Sequence, residues 1–147
     1  MKGQTVEQWL SLLDHPEVDL INQVRTLIKH AESALVEGVK WNAPSYALDG
    51  NDIITFNFRS YGPVSLIFHT GPKGKDTKTG QRLFEDASGL IEWVADKRFV
   101  LKVGDGRFLQ THAAEITRLV QTWAAYGRKN FEFTNHERGE NYVKSNQ

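Results

Sequence analysis

The sequence predicts an α+β protein: a two-layer sandwich with two long helices on one face of a mostly antiparallel sheet of about five strands. Three observations predict it. Apolar residues recur at spacings of three and four near each end of the chain. They alternate at every second position through the middle, and the alternating segments are joined in pairs by tight turns.

Taken in order, "TVEQWLSLL" places Val6, Trp9, Leu10 and Leu13 for a short helical turn or two. "DHPEVDLINQVRTLIKHAESAL" then opens as a helix. Asp14 and Glu17 form a capping-box pair, and Pro16 falls in the first turn, where its missing N–H costs little. Ile21, Val24, Leu27, Ile28, Ala31 and Leu35 make the apolar stripe, with Arg25, Lys29 and Glu32 on the polar side. Gly38 stands where a C-terminal cap is expected.

The period then changes to two. Tyr46 to Leu48 reads as a first strand turned by "DGND", and "DIITFNFRS" and "PVSLIFH" pair through "SYG". "LIEWVA" and "RFVLKV" pair through "DK". One face then holds Ile54, Phe56, Phe58, Val64, Leu66, Phe68, Ile91, Trp93, Phe99, Leu101 and Val103, and it needs the two helices as cover. The other face carries Asn57, Arg59, Ser65, His69, Glu92 and Lys102 beside Ile53, Ile67, Val94 and Val100. Such a mixture suits solvent, a homodimer through the uncovered sheet, or a ligand.

Between the two strand pairs, "GPKGKDTKTGQRLFEDASG" is a long surface connection with a helical turn near Gln81 to Asp86. The last helix, "DGRFLQTHAAEITRLVQTWAAYG", sets Leu109, Ala113, Ile116, Val120, Trp123 and Ala124 on one stripe and stops at Gly127. Residues 1–127 thus form one domain, and 128–147 a polar tail whose Phe131, Phe133 and Tyr142 are candidates to dock on the body.

Composition narrows the function by exclusion. Lys plus Arg and Asp plus Glu both number 18, so no global field draws the chain to nucleic acid or to an anionic membrane. The absence of cysteine rules out disulfides, thiolate nucleophiles and Cys-ligated metal. "MKGQTVEQWL" lacks the apolar core of a signal peptide, and no stretch approaches the roughly 20 apolar residues of a membrane span. A cytoplasmic protein is the expectation.

Catalytic motifs are sparse. His15, His30, His69, His112 and His136 never stand at zinc-helix spacing, and neither HExxH, GxSxG nor a dinucleotide fingerprint occurs. His112 and Glu115 are half of a carboxylate-bridged metal set whose other half is missing. The run "GPKGKDTKTG", with Lys73, Lys75, Lys78 and nearby Arg82, can attract an acidic group but lacks P-loop spacing, so the loop at 71–80 reads as solvated. A small hydrolase-type enzyme would need a titrating pair such as His69 with Glu92 facing a pocket.

The most informative stretch is "VKWNAPSYALDG". Its structural reading is that Trp41 fills the gap between helix and sheet, Asn42 bonds its own turn, Pro44 extends Ala43, and Tyr46 starts the strand. Its functional reading is a pocket wall made by a Trp and a Tyr flanking an amide. At Trp41, Pro44, Tyr46 and Gly50, followed by the aromatic strand pair ending in "SLIFH", the chain resembles the YdhG-like domain family, an uncharacterised bacterial group. The resemblance spans roughly Val18 to Val103.

That resemblance implies a frataxin-like α-β5-α sandwich and, since a relative is regarded as an intracellular iron chaperone, a possible role in iron delivery. Glu7, Asp14, Glu17, Asp19, Glu32 and Glu37 are spread out and interrupted by Arg25, Lys29 and Lys40. The acidic ridge that would hold iron is therefore not seen, and no residue is assigned to metal. The leading expectation is a non-enzymatic domain that binds a small ligand or protein partner through Trp41, Asn42, Tyr46, Arg59 and His69.

Overall fold

The computed structural model describes residues 5–13, 15–71 and 76–133. Asp14, Lys73, Lys75, His136 and Tyr142, singled out above, lie outside the described residues. The chain runs α1 (Val6–Ser11), α2 (Val18–Ala31), β1 (Val36–Lys40), β2 (Ala43–Leu48), β3 (Asn51–Asn57), β4 (Ser65–Phe68), β5 (Ile91–Ala95), β6 (Arg98–Lys102), α3 (Gly106–Thr111) and α4 (Ala113–Arg128). The six strands form one antiparallel sheet in the order β1-β2-β3-β4-β6-β5. The class is α+β as expected, but the expected five strands under two long helices are corrected to six strands with four short helices.

The additional strand is β1, which the helical stripe had absorbed through Leu35 and Gly38. α2 ends at Ala31 because Glu32 takes extended backbone, φ −148° and ψ 101°. An alternation is hard to see in "VEGVK" because Glu37 points inward beside Val39 while the apolar Val36 points out to solvent. The partner of Glu37 is Arg25, a residue assigned from sequence to the polar face of α2 and in fact buried.

The single last helix is likewise two. Asp105 caps α3 by accepting the Phe108 N–H at 2.8 Å, and the chain kinks at His112. Backbone bonding continues across the kink, from His112 N–H to Phe108 O and from Ile116 N–H to His112 O. No helix forms at Gln81 to Asp86. Gly127 lies inside α4 rather than ending it, and its lack of a side chain serves packing: a Cβ there would sit 3.0 Å from Leu48 and 3.4 Å from Phe131. The chain leaves α4 through Asn130 and Phe131, both at positive φ, and Phe131 is buried against Trp123.

The core follows from one row of cross-strand neighbours. Glu37, Tyr46, Ile54, Phe68, Phe99 and Trp93 lie side by side across all six strands on the helix-covered face. Trp123 of α4 packs on the rings of Phe68, Phe99 and Trp93 and is wholly buried, so its loss would cost about 3–5 kcal/mol. Its Nε1–H donates to the carbonyls of His69 at 3.0 Å and Ile53 at 3.2 Å, which fixes the ends of β3 and β4 from beneath.

At the β1 end the same row turns polar. Arg25 donates twice to Glu37, each at 2.8 Å, and also to Glu7 and Asn22, while the Tyr46 hydroxyl donates to Glu37 at 2.7 Å. Burial works against the Glu37 carboxylate, but the bonds from Arg25 and Tyr46 outweigh it and its pKa falls below the usual value. The network joins α1, α2, β1 and β2 through charge rather than apolar contact.

Candidate functional site

The open face is organised by a β-bulge. Tyr46 faces Ile54 while Ala47 faces Asp52, so Ile53 is an extra residue in β3. Strict alternation would send Ile53 to the open face; the bulge turns it into the core instead, 1% exposed, and swings Asp52 outwards beside Ser45. Ser45, Thr55, Ile67, Val100 and Glu92 then form the open-face row. Val100 is also buried, leaving Ile67 and Val94 half-buried as what remains of the four apolar residues assigned to that face.

A hydrogen-bonded chain crosses this face. Lys40 pairs with Asp52 at 3.0 Å, and Ser45 Oγ donates to Asp52 Oδ1 at 2.9 Å. Thr55 Oγ1 lies 2.8 Å from Ser45 Oγ and 2.9 Å from His69 Nε2. The Gly71 N–H donates to His69 Nδ1 at 3.0 Å. These partners set the direction of every bond. With Nδ1 occupied as an acceptor, the neutral ring carries its proton on Nε2 and gives it to Thr55; Thr55 donates to Ser45, and Ser45 to the carboxylate. Burial lowers the His69 pKa to about 4, and the geometry agrees, because a second proton would have to point at the Gly71 N–H.

Next to this chain lies a cleft of about 470 Å³ lined by Trp41, Thr55, Ile67, His69, Asp76 and Arg98, among others. Trp41 and Asn42 are the two central residues of the β1–β2 hairpin turn, with φ of 52° and 58°. A bulky side chain in the left-handed region costs about 1–2 kcal/mol. The turn nevertheless holds Trp41 60% exposed, edge-on to His69 with ring centroids 5.8 Å apart. Arg98 is held against Asp76 at 2.6 Å. The wall behind Asp76 is pinned by Asp96, which accepts from the Thr77 and Thr79 hydroxyls and the Thr79 and Gly80 N–H groups. Burial opposes the charge on Asp96, yet the bonds from Thr77 and Thr79 hold its pKa below normal.

A second cleft of similar volume, lined by Leu48, Asn51, Ile53, Lys97, Arg128 and Phe131 among others, lies near the end of α4. No chain of linked side chains like that at His69 backs it among the described residues.

Of the five expected ligand residues, the structure brings Trp41 and His69 together. Asn42 turns to α1, accepting the Trp9 Nε1–H at 3.1 Å. Tyr46 lies on the helix face, fully buried, and Arg59 is exposed in the β3–β4 loop with its N–H bonded to Asn57. Glu92 is two strands across from Ile67, roughly 10 Å, so it does not meet His69. Arg98 and Asp76 escaped the sequence reading, since their approach depends on the path of the long connection. Thr55 and Ile67 were visible on the open face by alternation.

His112 and Glu115 do meet, at 3.0 Å, but no group of three or more His, Cys, Asp or Glu able to hold a metal ion occurs among the described residues. No helix of the described residues is long and apolar enough to cross a membrane. Comparison with protein-family models, curated proteins and solved structures found no match.

Proposed function

We propose that this is a cytoplasmic, YdhG-like binding domain that takes up a small molecule in the Trp41 cleft without covalent chemistry. The observation that carries the proposal is Trp41 itself. Of the residues that suggested the family, Pro44 and Tyr46 are buried and Gly50 serves a tight turn at φ 83°. Trp41 alone is left exposed in a strained conformation, as expected of a residue held for contact with something else. A non-catalytic role is supported by His69, whose two ring nitrogens are both committed to hydrogen bonds.

A thermal-shift screen against metabolites and divalent metals, followed by NMR of the indole N–H signals, tests this. Hits should raise stability and move the Trp41 signal, and Trp41→Asn should abolish the response. Stabilisation by a metal with Trp41 unmoved, or by metabolites that bind Trp41→Asn equally well, would overturn it.

A further inference from the structure

We infer that the cleft selects a planar, anionic ligand, its ring laid on Trp41 and its carboxylate or phosphate met by Arg98 and Lys97. The inference rests on the binding role proposed above and follows from an inventory of the lining. Most side-chain acceptors are already engaged: His69 Nδ1 receives the Gly71 N–H, Thr55 Oγ1 lies in the chain from His69 to Ser45, and the Asp76 carboxylate receives Arg98. Asn57 Oδ1 likewise receives the N–H groups of Arg59 and Ser60.

The donors are not engaged to the same extent. Trp41 Nε1–H and Asn57 Nδ2 have no hydrogen-bond partner among the described residues, and Lys97 has only the face of Phe133, 5.1 Å away. Charge points the same way. Lys97 and Arg98 face a single lining carboxylate, Asp76, which is half exposed and already paired, while the Lys40–Asp52 pair behind the cleft is balanced. A ligand rich in acceptors meets unused donors here, whereas a cation meets only Asp76, whose charge Arg98 already neutralises. Ile67 and the exposed indole supply the apolar surface for a ring.

Two probes of one shape, 2-naphthoate and its uncharged analogue 2-naphthamide, separate the anion preference from binding as such. In NMR titrations of the full chain, naphthoate should move the Trp41 indole signal saturably and bind at least about tenfold more tightly than naphthamide. Arg98→Gln should erase most of that difference, with the amide spectrum otherwise preserved because Arg98 and Asp76 form a surface pair. Equal affinity for both probes would overturn the anion preference while leaving the binding role standing. A Trp41 signal unmoved by either probe would overturn both.

Discussion

Thr55 Oγ1 lies 2.9 Å from Nε2 of His69 while the Gly71 N–H donates to the opposite ring nitrogen, so this imidazole is locked as one neutral tautomer. Its stability effect has a definite sign. The unfolded ring takes a proton near pH 6.5 and the folded ring near 4, so the unfolded state binds more protons between those values. The contribution is complete above pH 6.5 and is lost as pH falls towards 4. It amounts to at most about 3 kcal/mol. Urea unfolding of the parent and of His69→Gln should show a stability gap that narrows between pH 7.5 and 5. Parallel pH profiles would refute the lock.

Trp41→Asn should leave the protein as stable as the parent or raise its stability by about 1 kcal/mol. Asn is at home in the left-handed region, which offsets the lost edge contact with His69. Chemical denaturation measures this. A loss above about 2 kcal/mol would mean that Trp41 is there to hold the fold, and would undercut its role as a ligand platform.

Arg25→Met should destabilise by about 3–5 kcal/mol, because Glu37 would remain buried with only Tyr46 and the more distant Lys29 as partners. The triple variant Arg25→Met, Glu37→Leu, Tyr46→Phe removes every polar group of that buried centre and should recover most of the loss. Additive losses across the three sites would show that the network is not a coupled unit.

Asp96→Ala should release the wall of the cleft without unfolding the sheet. Hydrogen exchange at the Thr79 and Gly80 amides, both bonded to Asp96 Oδ1, should accelerate by more than about tenfold, while β3 and β4 amides keep their protection. Weaker 2-naphthoate binding should follow, since Asp76 adjoins the released segment and positions Arg98. Unchanged exchange at both amides would show that other contacts hold the segment.

The core face was legible in the sequence because strand alternation is local. Ile54, Phe56, Leu66, Phe68, Phe99 and Leu101 lie where their period of two puts them, and the turns at Asp49–Gly50 and Asp96–Lys97 follow from residue type. The open-face position of His69 was legible for the same reason. The exposure of Trp41 was not: by residue type it suits the gap between helix and sheet, whereas the turn that holds it out depends on β1. β1 itself was not legible, because one of its inward residues is a glutamate made tolerable by Arg25, twelve positions earlier on another element.

The site itself was decided by tertiary structure. One extra residue in β3 reverses which of Asp52 and Ile53 lies on the open face of the sheet, and that extra residue is seen only in the pairing of β3 with β2. The long connection then brings Asp76 to Arg98 by anchoring on Asp96. The sequence by itself determined the class, the apolar face and the residues available for chemistry. Which of them meet depended on strand register and loop path, both set by contacts between segments far apart in the chain.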